Sequence, residues 1–148
     1  MEKKHAEETL NKILSYMNVS TSLKTEEVDD GSLEITISGD DLNFLIGYRG
    51  ESLEALQTLL NLMLFKETGN WSFVSIDINN YKKDRYSKIE GIAKNYIDRV
   101  RFANKEVELP VMSSFERKHV HLFISGYDDI KSESIGEGSQ RRVVLKPS

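Results

Sequence analysis

The sequence predicts an α+β protein built as two small domains, residues 1–79 and 80–148. Three observations point there. Short segments with apolar residues at every second position are interleaved with segments whose apolar residues recur every three to four, the periods of strand and helix. A chain of 148 residues has room for one ordinary domain or two small ones. The charge balance changes sign near the middle: residues 1–79 carry 6 Lys and Arg against 14 Asp and Glu, and residues 80–148 carry 14 against 10.

The elements follow in order. Ala6, Leu10, Ile13, Leu14 and Met17 form one apolar stripe, so residues 3–17 read as a helix. The polar stretch Val19–Val28 reads as an edge strand, Asp29-Asp30-Gly31 as a turn, and Leu33, Ile35 and Ile37 as the inward side of a second strand. Asp40 or Asp41 is a candidate cap for a short helix from Leu42 to Ile46, which Gly47 ends. Leu53, Leu56, Leu60, Met63 and Leu64 then predict a helix from Glu51 to about Phe65, stopped at Gly69-Asn70. Val74, Ile76 and Ile78 complete an α-β-β-α-α-β order.

The second half opens with a long helix, for which Asn79 and Asn80 are candidate caps. Its stripe is Tyr81, Ile89, Ile92, Ala93, Tyr96, Ile97 and Val100, with Lys82, Arg85 and Lys88 off it and close together. A short strand at Val107–Leu109 is limited by Pro110. Ser113-Ser114-Phe115-Glu116 has the spacing of a capping box and predicts a helix to about Ser125, with Phe115, Leu122 and Phe123 as its packing side. Strands are expected at Ile130–Ile135 and Arg141–Lys146.

Composition excludes several classes. At 39% hydrophobic and 30% charged residues the chain should fold. There is no apolar run of about 18 residues and no apolar stretch at the N-terminus, so a cytoplasmic location is expected. No cysteine is present, which removes disulfides, cysteine-based zinc sites and thiol nucleophiles, and three histidines leave little scope for a metal cage. No cofactor and no metal are expected. His119 and His121 would point about 200° apart on a helix, and the Asp77/Asp84 and Asp128/Asp129 pairs lack a nucleophile or phosphate loop. Catalysis is not expected, and no catalytic residue is assigned.

Gly47-Tyr48-Arg49-Gly50 lies between two helical patterns. Taken alone, such a pair of glycines usually means an ordinary turn. It also leaves the backbone bare at the N-terminus of a helix, where outward N–H groups and the helix dipole favour an anion. Arg49 adds a charge, and Tyr48 can stack or hydrogen-bond. Ile-Gly-Tyr-Arg-Gly-Glu-Ser-Leu-Glu-Ala-Leu-Gln, after a hairpin and before a single strand, resembles the KH domain family in the arrangement with its extension at the N-terminal side, over residues 3–78. The resemblance implies that Gly47, Tyr48, Arg49 and Gly50 clamp the backbone of unpaired nucleotides, while Ile46, Leu53 and one face of the Leu33–Ser38 strand line a groove for bases. Tyr48 stands where family members often have a basic residue.

Arg117 and His121 are four apart, hence on one side of a helix. Arg can grip phosphate in a fork of donors, and His can donate to phosphate or stack on a base. Taken alone, the spacing more often means an ordinary exposed Arg and a His in a polar patch. Ser-Ser-Phe-Glu-Arg-Lys-His-Val-His, ending in Gly-Glu-Gly-Ser-Gln-Arg-Arg-Val-Val-Leu, resembles the R-three-H domain across about residues 80–148, with Lys118, Arg141 and Arg142 as companions of the named pair. His119 falls where related sequences carry an apolar residue.

A KH domain followed by an R-three-H domain resembles the bacterial Jag family, also called EloR or KhpB. That implies single-stranded RNA or single-stranded DNA as ligand, a role as RNA chaperone or post-transcriptional regulator linked to cell elongation and division, and pairing with a small stand-alone KH protein or self-association. The family's N-terminal Jag domain is not seen in this sequence. The competing reading is a protein-interaction scaffold with a KH-like fold that binds no RNA and docks through its acidic first half.

Overall fold

A computed structural model describes residues 2–148, and the chain divides into two compact units, residues 1–82 and 83–148. The first runs α1 (Glu2–Ser15), β1 (Ser22–Glu27), β2 (Leu33–Ser38), α2 (Asn43–Ile46), a 3₁₀ turn (Tyr48–Gly50), α3 (Glu51–Thr68) and β3 (Val74–Ile78). The expected α-β-β-α-α-β order is present. Strand order is β1-β2-β3, with β1 antiparallel to β2 and β2 parallel to β3.

Burial explains the pattern. Leu33, Ile35 and Ile37 face inward at 6%, 0% and 0% exposure, and Leu10, Leu53, Leu56, Leu60, Val74, Ile76 and Ile78 close over them. Each such side chain contributes roughly 1.5–3 kcal/mol when removed from water. α3 also binds β3 through side chains: Val74 N–H donates to Asn61 Oδ1 and Asn61 Nδ2 to Val74 O, both at 2.8 Å, while Ile76 N–H donates to Gln57 Oε1 at 2.9 Å.

Three local expectations are corrected. α1 stops at Ser15 because its last N–H groups, of Tyr16 and Met17, reach back only three residues and Asn18 turns to φ 53°; Met17 is left 40% exposed. Neither Asp40 nor Asp41 caps α2, whose cap position is Leu42, a residue with no side-chain acceptor. Asn79 and Asn80 both have positive φ. The Asn79 side chain bridges Gly39 N–H and C=O, and Asp77 Oδ1 instead accepts from Lys82 N–H at 3.0 Å.

The second unit holds most of α4 (Tyr81–Ala103), then β4 (Val107–Glu108), α5 (Ser114–Ile124), β5 (Ile130–Ile135) and β6 (Arg142–Pro147). β6 is the central strand, antiparallel to β4 and β5. Ile89, Ile97, Val100, Leu109, Val120, Ile124, Val143 and Leu145 form the core. Tyr81, expected on the same stripe, packs against the core of the first unit. In the first unit Lys82 Nζ donates to Gln57 Oε1 at 3.1 Å, and in the second Arg85 Nε donates to Glu116 Oε1 at 2.7 Å.

The capping box forms as expected. Ser113 Oγ accepts from Glu116 N–H, and Glu116 Oε2 accepts from Ser113 N–H. The packing side of α5 is only partly the expected one: Phe123 is half-buried against the core and Phe115 stacks on Tyr86 with ring centres 5.4 Å apart, but the most buried positions lie elsewhere. Phe115 and Leu122 are 37% and 64% exposed, whereas Glu116, Val120 and Ile124 are buried. Glu116 is what rotates the helix this way, since its carboxylate serves both the cap and Arg85.

Candidate nucleic-acid interface

The first surface is the turn between α2 and α3. Gly47 ends α2 with φ 70°, ψ −174°, a conformation nearly confined to glycine, and a Cβ there would collide with the Ser52 side chain. Arg49 takes the left-handed conformation, φ 51°, ψ 30°, and its guanidinium lies 5.0 Å from the centre of the Tyr48 ring. Gly50, φ 79°, is buried, and a Cβ on it would lie 3.0 Å from Tyr81. No side chain caps α3, so its first amides are not covered by a capping group. Glu51 and Glu54 stand in the same first turn, which weakens the field that an anion would meet.

The expected groove is partly corrected. Leu53 is 2% exposed, and the apolar face of β2 is fully packed, so both support the turn from within and neither offers surface to a base. The α3 register that puts Leu56 and Leu60 in the core puts Leu53 there too. Ile46 is half-buried against the same core. The exposed apolar surface around the turn comes from Tyr48, 70% exposed, and from Phe44, 56% exposed and one turn earlier. Phe44 escaped the sequence reading because it falls off the Leu42–Leu45 packing side.

The second surface is a cleft of about 410 Å³ on the second unit, lined by Ser114, Arg117, Lys118, His121, Leu122, Ser134 and Arg141. Four residues expected from sequence, Arg117, Lys118, His121 and Arg141, are thus brought together, with three permanent cations and no carboxylate in the lining. Arg117 is fixed by Nη1 donating to Met112 O at 2.6 Å. Arg142 is not in the lining. Arg142 is the first residue of β6, Arg141 lies just before that strand, and Arg142 pairs with Glu108 at 3.2 Å. Ser114, Leu122 and Ser134 were not anticipated; only Ser134 had a readable signal, the alternation of β5.

His121 spans two β5 hydroxyls, Nδ1 to Ser132 Oγ at 2.8 Å and Nε2 to Ser134 Oγ at 2.7 Å. Donation from a ring nitrogen to phosphate is therefore ruled out while these contacts hold. Burial, then the cations Arg117 and Arg141, hold its imidazole below the ordinary histidine value. The unfolded chain then binds the proton more readily than the folded one, so His121 withdraws stability as pH falls through about 6.5 and below. The urea midpoint of the parent should drop more between pH 7 and pH 5.5 than that of His121→Gln; parallel curves would refute this. His119 lies apart from the cleft lining, stacked on Tyr86 at 3.9 Å with Nε2 2.9 Å from Glu90 Oε1.

Residues 3–78 match the KhpA/KhpB KH domain, and residues 87–147 match the R-three-H domain. The chain belongs to the KhpA/KhpB KH-domain family. Among its relatives, the RNA-binding protein KhpB of Clostridium symbiosum is 29% identical over 139 residues, covering 93% of this chain and 63% of that protein. The RNA-binding protein KhpB of Bacillus subtilis (strain 168) is 38% identical over 111 residues, 74% of this chain and 53% of the relative. That of Streptococcus pneumoniae serotype 2 is 29% identical over 133 residues, 90% of this chain and 40% of the relative. The chain thus spans between 40% and 63% of the length of these KhpB proteins. Among the described residues, no helix is long and apolar enough to cross a membrane.

Proposed function

We propose that the chain binds single-stranded RNA without catalysing a reaction, using residues 1–79 and 80–148 as two modules with different tasks. The observation that carries this is the cleft with Arg117, Lys118 and Arg141 and no carboxylate in its lining. It attracts phosphate, whereas the Gly47–Gly50 turn, with Arg49 as its one cation, holds nucleotide backbone beside Tyr48 and Phe44. KhpB relatives named as RNA-binding support the reading. A cytoplasmic role as RNA chaperone or post-transcriptional regulator, with a link to cell elongation and division, is the function this activity would serve.

The test is a titration of fluorescent mixed-sequence single-stranded RNA at several salt concentrations. Arg117→Ala with Arg141→Ala should flatten the log–log salt slope by about 1.4, at ~0.7 for each phosphate that is no longer neutralised. An unchanged slope would remove the cleft from the interface. Replacing Tyr48 and Arg49 together by Asp should weaken binding by roughly tenfold at low salt, because two carboxylates would then face phosphate. The exposed turn should keep its stability, since Asp tolerates the left-handed backbone at position 49. Full affinity in that folded variant would dismiss the clamp.

A second reading has its own observation. Leu59, Leu62, Phe65 and Trp71 are 46%, 51%, 38% and 65% exposed, with Phe65 stacked on Trp71 at 4.6 Å, in the acidic half of the chain. This is surface for a protein partner, such as a small stand-alone KH protein or a second copy. Docking there would survive added salt, which phosphate binding would not.

A further inference from the structure

A ring nitrogen makes one in-plane hydrogen bond, as donor when it carries hydrogen and as acceptor when bare. Both nitrogens of His121 already spend theirs on Ser132 and Ser134. Ser134 is different. Its hydroxyl has one hydrogen and two lone pairs, and the residue lines the cleft beside Arg117, Lys118 and Arg141. We propose that Ser134 is the hydroxyl that donates to a phosphate oxygen in this cleft, and that His121 is its positioning residue, fixing that hydroxyl without touching the phosphate. The inference rests on the cleft as the phosphate-binding surface and goes on to name a donor within it.

The hydrogens can be followed. With hydrogen on Nε2, neutral His121 donates to Ser134 Oγ, Ser132 donates to bare Nδ1, and the Ser134 hydrogen is left to point outward. Burial and the charges of Arg117 and Arg141 favour the neutral ring. The protonated ring also donates to Ser134, so the outward hydrogen is kept in both charge states. Only the other neutral tautomer turns the Ser134 hydrogen back onto the ring, and an anion among Arg117, Lys118 and Arg141 selects against it.

Ser134→Thr and Ser134→Val have the same shape on a strand and differ by the hydroxyl, so they test the donor without a difference in volume. In the full chain, with mixed-sequence single-stranded RNA as probe, Ser134→Thr should bind like the parent and Ser134→Val about tenfold more weakly, the scale of one hydrogen bond to a charged oxygen. The gap should be the same at pH 6 and pH 8. His121→Gln should weaken binding, yet add nothing in the Ser134→Val background. Equal affinity of the Thr and Val variants overturns the donor, and additive losses overturn the positioning role, since His121 would then meet RNA by itself. Arg117→Ala separates the levels. If it too binds like the parent, the cleft is not the phosphate surface; if it binds weakly while Thr and Val are equal, this inference alone fails.

Discussion

Replacing Glu116 by alanine is expected to destabilise the second unit by about 3 kcal/mol, the lower end of the ~3–5 kcal/mol range for breaking one side of a buried ion pair. The side chain is 4% exposed and makes its connections to the cap and to Arg85. Its loss leaves Arg85 half of an ion pair and Ser113 N–H without its acceptor. Arg85 keeps 24% of its side chain in water, which is why the upper end of the range is not expected. Glu116 also sets the rotation of α5, so Arg117 and His121 should lose their alignment, and RNA affinity should fall together with the urea midpoint. A stability within about 0.5 kcal/mol of the parent, the range of an ordinary surface change, would show that the pair contributes nothing and that the apolar core alone seats this helix.

Gly47→Ala should destabilise the first unit by about 2–3 kcal/mol, while Gly50→Ala should cost less. At Gly47 the backbone occupies a region open essentially to glycine, costing about 1–3 kcal/mol for any other residue, and the new methyl would collide with Ser52, which stands in the first turn of α3. Gly50 sits in the ordinary left-handed region, φ 79°, ψ 12°, where its new Cβ would meet the Tyr81 ring at 3.0 Å. Arg49 already tolerates that region at the neighbouring position. Denaturation of both variants by far-UV circular dichroism settles the ranking; a Gly50 variant less stable than the Gly47 one would mean that Tyr81, not the backbone, limits this turn.

Much of the fold could be read from the sequence because its signals are local. The alternation at Leu33, Ile35 and Ile37, the glycine-bounded turn and the Ser113–Glu116 cap all depend on neighbours within a few residues. Periodicity also told which residues share a helix face, but not which face turns inward. At α5 that choice left Leu122 outside, and it depends on Arg85, 31 residues before Glu116. The caps failed for a related reason. Asn79 is an excellent cap by residue type, yet its amide is held by Gly39, 40 residues away, and Asp77 takes the role. In the cleft, residue type and spacing identified the cations, whereas the serines that hold His121 became visible only when β5 was seen to pass beside α5.

The outer N–H groups of β3 at Val74, Ile76 and Ile78 are satisfied by Asn61, Gln57 and Asp77, and the Val74 carbonyl by Asn61. A fourth strand arriving from another chain would find these ladder positions filled, and inserting it would strand two buried or half-buried amide side chains. Edge-to-edge growth of the sheet is thus blocked at β3. At the opposite border β1 presents Lys24 and Glu26, charges that an incoming apolar strand could not match.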